Sequence, residues 1–438
     1  MSFNPPETTS STRSPISRRD FGRSAAAASF LILKPRTVWG YQANSAVRLA
    51  LLGCGNRGTS VATSFARNTS ARIVALGDIF QDQLDKAKSN FDAVASSLGY
   101  AGPETKLMFR GAHAYQELSN SKDIDAIQIS TPPFFHVEHL AAAVRGGKHA
   151  YCEKPVGVDI PQTRRALEIA KKVGDKVSVD VGFQIRSAPP FVELVKRIHD
   201  GAVGKLVSIV AHYDAGENAY PDRPPTMSKD ELTLRNWQWS MNLSGDIFVE
   251  QDIHVVDICN WVLNGRPVSV YATGARSVVS HPGNNFDNYQ VNYTYPNDVH
   301  VSITAKQYGK TRGADVSEKV FGSLGYSESP YSGPLRIVGD NAWEWSDPEA
   351  PSVNTTQGSA QAAALSNNLA NADREKDRGF IESITSGKYH NQIELGVESA
   401  RAAIMARMSA RRNCVITWND MLSDKEAFKL GFDINQFS

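Results

Sequence analysis

Two segments of the sequence carry side chains that could move a proton. Lys154 lies two residues after an apolar segment at 149–152, which predicts an ammonium group just beyond the end of a strand. There it could donate a hydrogen bond to a substrate hydroxyl and stabilise a developing alkoxide. A lysine next to a turn proline, Pro155, is equally compatible with a solvated surface residue. This position alone leaves both interpretations open.

The second segment, 245–257, combines an imidazole with two carboxylates. Glu250, His254 and Asp257 are four and three residues apart, so on a continuous helix they would share one stripe. One carboxylate could then orient the ring while the ring exchanges a proton with a substrate. A histidine on an apolar helix can also be a packed core residue. The segment lacks the second histidine of a zinc-binding helix, so we predict no metal site.

A glycine-rich turn follows the apolar strand predicted at 47–52. In such a turn the first glycine lets the chain leave the strand tightly, the second brings the backbone to a pyrophosphate, and the third lets the next helix pack on the sheet. The positive N-terminus of that helix then faces the phosphates. The candidate cofactor contacts in this turn are Gly53, Gly55, Asn56, Arg57 and Gly58.

A second apolar strand, at 72–78, ends at Asp78, about twenty residues after the turn, which is the usual place of the ribose-binding acid. Asp78 would accept hydrogen bonds from the adenosine ribose hydroxyls and repel a 2′-phosphate. A glycine turn alone also occurs without any ligand. The strand context and the spaced acid together favour a dinucleotide site, with NAD preferred over NADP.

Two further strand ends should lie beside this turn, because ligands of an open α/β sheet gather at the carboxyl ends of its strands. The strand predicted at 126–130 runs into a rigid turn, and the strand at 149–152 runs into Glu153 and Lys154. His136 either begins the next helix or contacts the cofactor. The additional candidate cofactor contacts are Ser130, Thr131, Pro132, His136, Glu153 and Lys154.

The alternation of strands with helices at 58–67, 81–97 and 137–146 predicts a doubly wound parallel sheet. After residue 200, strands with alternating polarity predict a mostly antiparallel sheet, including a hairpin turned at 296–298. The expected fold class is therefore α/β plus α+β. The expected domains are a dinucleotide-binding domain at 46–156 and a substrate and oligomerisation domain at 157–438, with a C-terminal helix at about 393–412.

The first forty residues resemble a twin-arginine export signal. Arg18 and Arg19 precede an apolar stretch at 25–33, which predicts a periplasmic or secreted protein. A disordered basic tail is the alternative. That export route carries folded proteins, so a nucleotide could be loaded beforehand, and no membrane span is expected after the signal. The formal net charge of +1 argues against a nucleic-acid partner.

The four cysteines are too irregularly spaced to predict a disulfide framework or a metal cluster; they are Cys54, Cys152, Cys259 and Cys414.

A segment before the histidine helix carries aromatic rings beside an arginine and amides, a combination that suits sugar faces and hydroxyls. An ordinary aromatic cluster under a loop would have the same composition. The candidate substrate contacts in this segment are Arg235, Trp237 and Trp239, in addition to Lys154 and His254.

The sequence resembles the Gfo/Idh/MocA oxidoreductases over about residues 46–310. Four motifs occur in the order seen in that family: the glycine turn, the Thr131-Pro132 turn, Glu153-Lys154-Pro155 and the acid-x-x-x-His helix. The family includes glucose–fructose oxidoreductase and inositol dehydrogenase. The resemblance implies a Rossmann domain, an open-faced sheet that often forms the oligomer interface, and hence a homodimer or homotetramer. It also implies that Lys154 and His254 flank the nicotinamide. Gln184 and Arg186, just after the strand end at 181–183, are similar to substrate-contacting positions that face the cleft in such proteins. Glu250 stands where the family usually has aspartate, and Asp252 where it usually has glycine.

We therefore expect NAD-dependent oxidation or reduction of a sugar, polyol or glycoside. Lys154 would bind the reacting hydroxyl, His254 would take its proton, and Glu250 or Asp257 would hold His254. Free nicotinamide cofactor is scarce outside the cytoplasm, so a tightly bound cofactor is expected. Two alternatives remain. One is a redox-neutral enzyme that cleaves glycosides by oxidation, elimination and reduction. The other is a nucleotide-bearing binding protein that has lost catalysis.

Overall fold

The computed structural model describes residues 46–220, 224, 226–309, 315–346 and 368–438. The export signal predicted at 1–40 lies outside the described residues and stays a prediction.

Six parallel strands form the first sheet, in the order β3-β2-β1-β4-β5-β6. Their apolar sequences, such as the Arg48–Leu52 run with four of five residues buried, are typical of parallel strands covered by helices on both faces. The strands are β1 (Arg48–Leu52), β2 (Arg72–Asp78), β3 (Met108–Arg110), β4 (Ala126–Ile129), β5 (His149–Cys152) and β6 (Val179–Val181). The four strands expected at 47–52, 72–78, 126–130 and 149–152 are confirmed. β3 was not predicted, because its three residues are half-buried or exposed and form no apolar run.

The helices linked to this sheet are α1 (Asn56–Asn68), α2 (Gln81–Ser97), α3 (Ala114–Asn120), α4 (His136–Arg145) and α5 (Ile160–Val173). The parallel sheet continues past residue 156, where we expected the first domain to end, because β6 pairs with β5 in parallel. A helix from much later in the chain, α11 (Ala372–Ser386; α6 to α10 are given below), also packs on α1. Its Phe380 is fully buried against Phe65 and Tyr151.

The second sheet has nine strands, in the order β14-β13-β12-β11-β7-β10-β9-β8-β15. Its pairings are antiparallel except that β10 runs parallel to β7, which confirms the expected mostly antiparallel sheet. The strands are β7 (Leu206–Ala215), β8 (Ser269–Ala275), β9 (Asn288–Tyr295), β10 (Val299–Gln307), β11 (Asp315–Gly322), β12 (Gly325–Glu328), β13 (Arg336–Gly339), β14 (Trp343–Glu344) and β15 (Ile416–Thr417). The expected hairpin joins β9 to β10 through Pro296–Asp298.

One face of this sheet is buried under helices and the other is open. Along β10, buried residues alternate with exposed or half-buried ones, the pattern of a sheet covered on one side only. The remaining helices are α6 (Pro189–His199), α7 (Lys229–Arg235), α8 (Met241–Ser244), α9 (Ile247–Glu250), α10 (Ile253–Leu263), α12 (Ile393–Arg412) and α13 (Trp418–Ser423). Tyr293 and Tyr295 fasten the covered face, since their hydroxyls donate to Ala402 O at 2.8 Å and Asn260 Oδ1 at 2.7 Å.

None of the helices in the described ranges combines the length and apolar character needed to cross a membrane.

Candidate active site at the carboxyl ends of the parallel strands

The glycine turn after β1 has room for a ligand only because of its glycines. Gly53 has a φ of +93°, and a Cβ there would lie 2.6 Å from the backbone of Ser130. A Cβ on Gly58 would lie 2.1 Å from the carbonyl oxygen of Gly53. A Cβ on Gly55, by contrast, meets no atom of the described chain within 4 Å. The first and third glycines are therefore required by the fold, and the second leaves its side of the turn open.

The N-terminus of α1 opens onto this turn. Gly55 is its N-cap, the first turn carries no acidic residue, and no side chain of the described residues caps its backbone N–H groups. Asn56, the first helical residue, is exposed. Free N–H groups and the positive end of the helix dipole favour an anion. The turn thus fits the diphosphate of a dinucleotide.

Asp78 lies at the end of β2 as the ribose-binding role requires. Its Oδ2 accepts from the backbone N–H of Cys54 at 2.7 Å, and its Oδ1 accepts from Phe80 N at 2.9 Å. Each oxygen keeps acceptor capacity for a ribose hydroxyl. Burial raises the pKa of this carboxyl, and the two backbone hydrogen bonds oppose that rise. The position fits the adenosine ribose of a dinucleotide.

Arg57, in the glycine turn, forms an ion pair with Glu153 after β5. The Arg57 guanidinium lies 2.8 Å from Glu153 Oε1, and its two terminal nitrogens each lie 2.9 Å from an oxygen of Asp373 on α11. Both residues were expected to contact the cofactor. In the structure their side chains pair with each other, and Asp373 forms a bidentate pair with the two terminal nitrogens of the Arg57 guanidinium. Asp373 was missed, since nothing in the sequence links residue 373 to the glycine turn.

The turn after β4 is internally bonded. The ring nitrogens of buried His136 lie 2.8 Å from Pro155 O and 2.7 Å from Thr131 O. The Thr131 hydroxyl lies 3.0 Å from His139 Nδ1, and the Ser130 hydroxyl accepts from Gln128 at 3.0 Å. Of the two roles left open for His136, the helix start is confirmed, because α4 begins at this residue. Its buried ring lies between the turn at Pro132 and the one at Pro155 and so helps to position both turns.

Lys154 lies at the end of β5, and a residue of the second domain holds it. Its ammonium donates to the Glu250 carboxylate at 3.0 Å and to the Glu250 carbonyl oxygen. Both side chains are mostly buried, with 12% and 15% of their surface exposed. The sequence left open whether Lys154 is a surface residue. The structure excludes that interpretation and assigns Glu250 as its partner.

The helix expected to align Glu250, His254 and Asp257 is interrupted. It ends as α9 at Glu250 and begins again as α10 at Ile253. The expectation that Glu250 or Asp257 holds His254 is therefore wrong. Glu250 pairs with Lys154, while Asp257 accepts from Arg186 at 2.8 and 3.0 Å and from Ser399 at 2.7 Å. Within the described residues, neither carboxylate forms a hydrogen bond to the ring.

His254 is buried, and its ring is nearly perpendicular to the ring of Phe183, with ring centroids 6.1 Å apart. Its Nδ1 has no hydrogen-bond partner in the described part of the chain. Burial, reinforced by the neighbouring Lys154 ammonium, holds the pKa of His254 well below its usual 6.5. The ring is therefore neutral at physiological pH and able to accept a proton. Because the Lys154 ammonium lies near enough to lower this pKa, a cationic donor and a neutral acceptor are neighbours in the site.

Asp252, in the interruption, is almost fully buried, and its Oδ2 finds no partner among the described residues. Burial and the nearby Glu250 carboxylate raise its pKa well above the usual range. Its surroundings therefore favour the neutral form of the carboxyl, and the departure from glycine places a buried acid at this turn. Next to it, Gln251 accepts from Asn218 at 3.3 Å.

The expected substrate contacts differ in whether their polar groups are already engaged by other side chains. Gln184 lies just after β6, next to Phe183, and its buried Oε1 lacks a partner among described atoms, so it keeps a polar group for a substrate. Arg186 is occupied by Asp257. Trp237 is half-buried, whereas Trp239 is buried against the His281 ring, with centroids 4.3 Å apart.

Arg235 lies elsewhere. It forms a bidentate pair with Asp82 at 2.9 and 3.2 Å, beside β2 and therefore at the adenosine end of the cleft. The expectation that it contacts the substrate is not supported, because the fold places α7 over the β2–α2 turn.

All four cysteines have free thiols; Cys54, Cys152 and Cys259 are buried, and Cys414 is exposed. In the described ranges, no cluster of histidine, cysteine or acidic side chains is arranged to hold a metal ion.

The first part of the fold is a Rossmann sheet with an open glycine turn. The second is an open-faced sheet whose helices bring an imidazole to a strand-end lysine. Together these features define a class of two-domain NAD-binding oxidoreductases. The chain matches the family described as "Oxidoreductase family, NAD-binding Rossmann fold" over residues 47–181 and the "GFO/IDH/MocA C-terminal domain" over residues 191–328. It belongs to the Gfo/Idh/MocA oxidoreductases.

Similar proteins include the inositol 2-dehydrogenase of Rhizobium meliloti (strain 1021), which is 29% identical over 229 residues. That match covers 52% of this chain and 58% of the relative, less than two thirds of its length. A scyllo-inositol dehydrogenase from Lactobacillus casei with bound NAD(H) and scyllo-inositol has a TM-score of 0.63 at 18% identity, covering 85% of this chain and 99% of that one. An aldose-aldose oxidoreductase from Caulobacter crescentus complexed with glycerol has a TM-score of 0.64, with 18% identity and the same two coverages, 85% and 99%. At these identities the two structures show a shared fold.

Proposed function

We propose that the protein is an NAD-dependent oxidoreductase that oxidises a secondary hydroxyl of a sugar, polyol or glycoside, or reduces the corresponding ketone. The observation that carries the proposal is that the Lys154 ammonium, positioned by Glu250 at the end of β5, lies close to a neutral, buried His254. Relatives named as inositol dehydrogenases support the polyol or sugar substrate class.

The residues divide the chemistry as follows. When bound, NAD supplies a hydride acceptor for oxidation, and its reduced form supplies a donor for the reverse reaction. Lys154 donates a hydrogen bond to the reacting oxygen and stabilises the negative charge that develops there. His254 accepts the hydroxyl proton, and in the reverse direction it returns that proton. Glu250 holds the lysine through two acceptor atoms, which keeps the ammonium at one point in the cleft.

The preference for NAD over NADP rests on two features. Asp78 offers carboxylate oxygens where a 2′-phosphate would lie. Arg235 is a cation near that turn, and its charge is balanced by Asp82 and Glu231, at 2.9 and 2.8 Å. A phosphate would have to displace these carboxylates, which makes the site less favourable for NADP.

The test has two parts. The native protein is purified and denatured, and any released nucleotide is identified by mass spectrometry. The native protein is then incubated with a panel of polyols, sugars and glycosides while reduced nicotinamide is followed by absorbance. We expect released NAD or NADH, and accumulation of reduced cofactor with at least one polyol or sugar.

Two results would replace the proposal. Release of an aglycone with no net change in cofactor would identify a redox-neutral, glycoside-cleaving enzyme. Retained nucleotide without either signal across the panel would favour a binding protein.

A further inference from the structure

Two segments from outside the parallel sheet meet over the β2–α2 turn. From α7, Arg235 extends to Asp82, in the first turn of α2, and forms two hydrogen bonds of 2.9 and 3.2 Å. The guanidinium carbon also lies 3.7 Å from the centroid of the Phe80 ring. The arginine side chain is 13% exposed and the aspartate 46% exposed. A cation from the second domain therefore covers this turn of the first.

The segment 432–438 covers the same turn from another side. The Phe437 ring packs edge-on against Phe80, with centroids 6.1 Å apart, and Phe432 supports it at 6.3 Å. The Gln436 amide donates to Asp230 on α7 at 3.2 Å. Ser438 lies against Gly111, where an added Cβ would approach its Cα to 3.0 Å. The two covering segments are thus bonded to each other as well as to the turn.

The covered turn also orients Asp78, the proposed ribose-binding acid. The backbone N–H of Phe80 donates to Asp78 at 2.9 Å, so the ring that Arg235 and Phe437 pack on belongs to the same turn as that hydrogen bond. The glycine turn follows β1, the neighbour of β2 in the sheet, so a dinucleotide lying across it extends its adenosine toward β2. We call Phe80, Asp82, Arg235, Gln436 and Phe437 the adenosine clasp.

We propose that the adenosine clasp retains the dinucleotide between turnovers, so that the adenosine half leaves only after the Arg235–Asp82 pair and the Phe437 contact have opened. This inference rests on the proposed function and adds to it a slow cofactor exit. A slow exit suits a reaction in which a second substrate, a ketone or aldose, reoxidises the same cofactor molecule. A clasp that only joined the two domains would affect stability and leave the exit rate unchanged.

The experiment measures nucleotide dissociation from the full-length protein. Wild type, Arg235→Ala, Arg235→Lys and Phe437→Ala are loaded with NADH, and release is followed by fluorescence after addition of excess NAD. We expect dissociation on the order of tenfold faster in Arg235→Ala and in Phe437→Ala, because each loses one of the contacts that must open. Arg235→Lys should lie between, since lysine keeps the charge and loses the bidentate geometry.

The matched control is Lys86→Ala. Lys86 lies 3.9 Å from the same Asp82 carboxylate but projects to solvent with 73% of its side chain exposed, so its removal should leave dissociation at the wild-type rate. The unfolding midpoint is recorded for every variant. If Arg235→Ala does not fold, Arg235→Lys and Phe437→Ala provide the test.

Salt gives an independent readout. The Arg235–Asp82 pair is partly exposed and therefore screened by ions, so added salt should accelerate release from wild type more than from Arg235→Ala. Equal dissociation rates in wild type and all clasp variants would overturn the clasp and leave the proposed function standing. Failure of wild type to bind NADH or NAD at all would overturn the proposed function itself.

Discussion

At the scale of single residues, the site depends on which partner each charged group receives. The Glu250 carboxylate accepts a hydrogen bond from the Lys154 ammonium. The carboxylate that was expected to orient His254 therefore positions the lysine. His254 is left buried beside a cation and without a carboxylate bonded to it in the described ranges. Those surroundings disfavour the imidazolium and suit a ring that starts the reaction neutral.

Replacing Lys154 with alanine should lower kcat by about 10³-fold, a typical loss when a positioned proton-donating group is removed. Nucleotide binding should persist, because the glycine turn and Asp78 are untouched. The measurements are steady-state kinetics and NADH titration. Lys196→Ala, a lysine with 66% of its side chain exposed, is the control and should behave as wild type. Unchanged turnover in Lys154→Ala would remove this lysine from the mechanism.

The pH profile of kcat/KM for oxidation should show no acid limb near pH 6.5 that arises from His254. Its pKa lies well below 6.5 in the folded protein, so the proton-accepting form persists as the pH falls through that value. The unfolded chain does bind a proton there, so the contribution of His254 to stability is present above pH 6.5 and is lost progressively below it. His254→Gln should abolish most turnover and reduce this acid-side loss of stability. A limb at pH 6.5 that His254→Gln removes would show that the ring titrates normally.

At the scale of elements, the interrupted helix creates the lysine site. In a continuous helix the Glu250 carbonyl would accept from the backbone N–H of His254, four residues on. Because α9 ends at Glu250, that carbonyl accepts from Lys154, and His254 N faces Gln251 O at 3.5 Å. The start of α9 is fixed by Asp246, whose carboxylate accepts from Ile247 N at 2.8 Å and Phe286 N at 3.0 Å.

A second element, α11, completes the dinucleotide-binding domain from a distant part of the chain. Phe380→Ala should lower the free energy of unfolding by about 3–5 kcal/mol, because the ring is fully buried against Phe65 and Tyr151 and its loss leaves a cavity. Urea unfolding measures the effect. Arg378→Ala, on the same helix and 46% exposed, should change it by less than about 0.5 kcal/mol. Equal effects of the two substitutions would contradict the packing role of α11.

At the scale of the whole molecule, each half of the site comes from a different sheet. Lys154 ends β5 of the parallel sheet, while Glu250 and His254 lie on helices associated with the second sheet. A substrate bound between them must therefore contact both parts of the chain. The homodimer or homotetramer expected through the open sheet face remains a prediction, as do export and a periplasmic or secreted location.

Export is tested by replacing Arg18 and Arg19 together with lysine. The twin-arginine route requires the arginine pair, so the double variant should remain in the cytoplasm while retaining its fold and nucleotide binding. Fractionation of expressing cells followed by immunoblotting measures the distribution. Single replacement of Arg13 is the control and should leave export unchanged. Undiminished export of the double variant would exclude the signal.

Much of the parallel sheet could be predicted because its evidence is local. Apolar runs, the three glycines and Asp78 each act through backbone conformation or a neighbouring strand end, so their spacing is sufficient. The polar partners could not be predicted in this way. Arg57 with Asp373, and Arg235 with Asp82, join residues far apart in the chain, and sequence spacing carries no information about such pairs.

The sequence by itself determined the class of fold, the nucleotide turn and the two residues, Lys154 and His254, on which the chemistry is proposed to depend. Only the tertiary structure decided that Glu250 holds the lysine, that Asp257 holds Arg186, and that Arg235 covers the β2–α2 turn. The reason is physical: a helix period predicts neighbours only while the helix continues, and the turn at Gln251 and Asp252 ends that relation. Beyond such a break, packing between distant elements determines which charges meet.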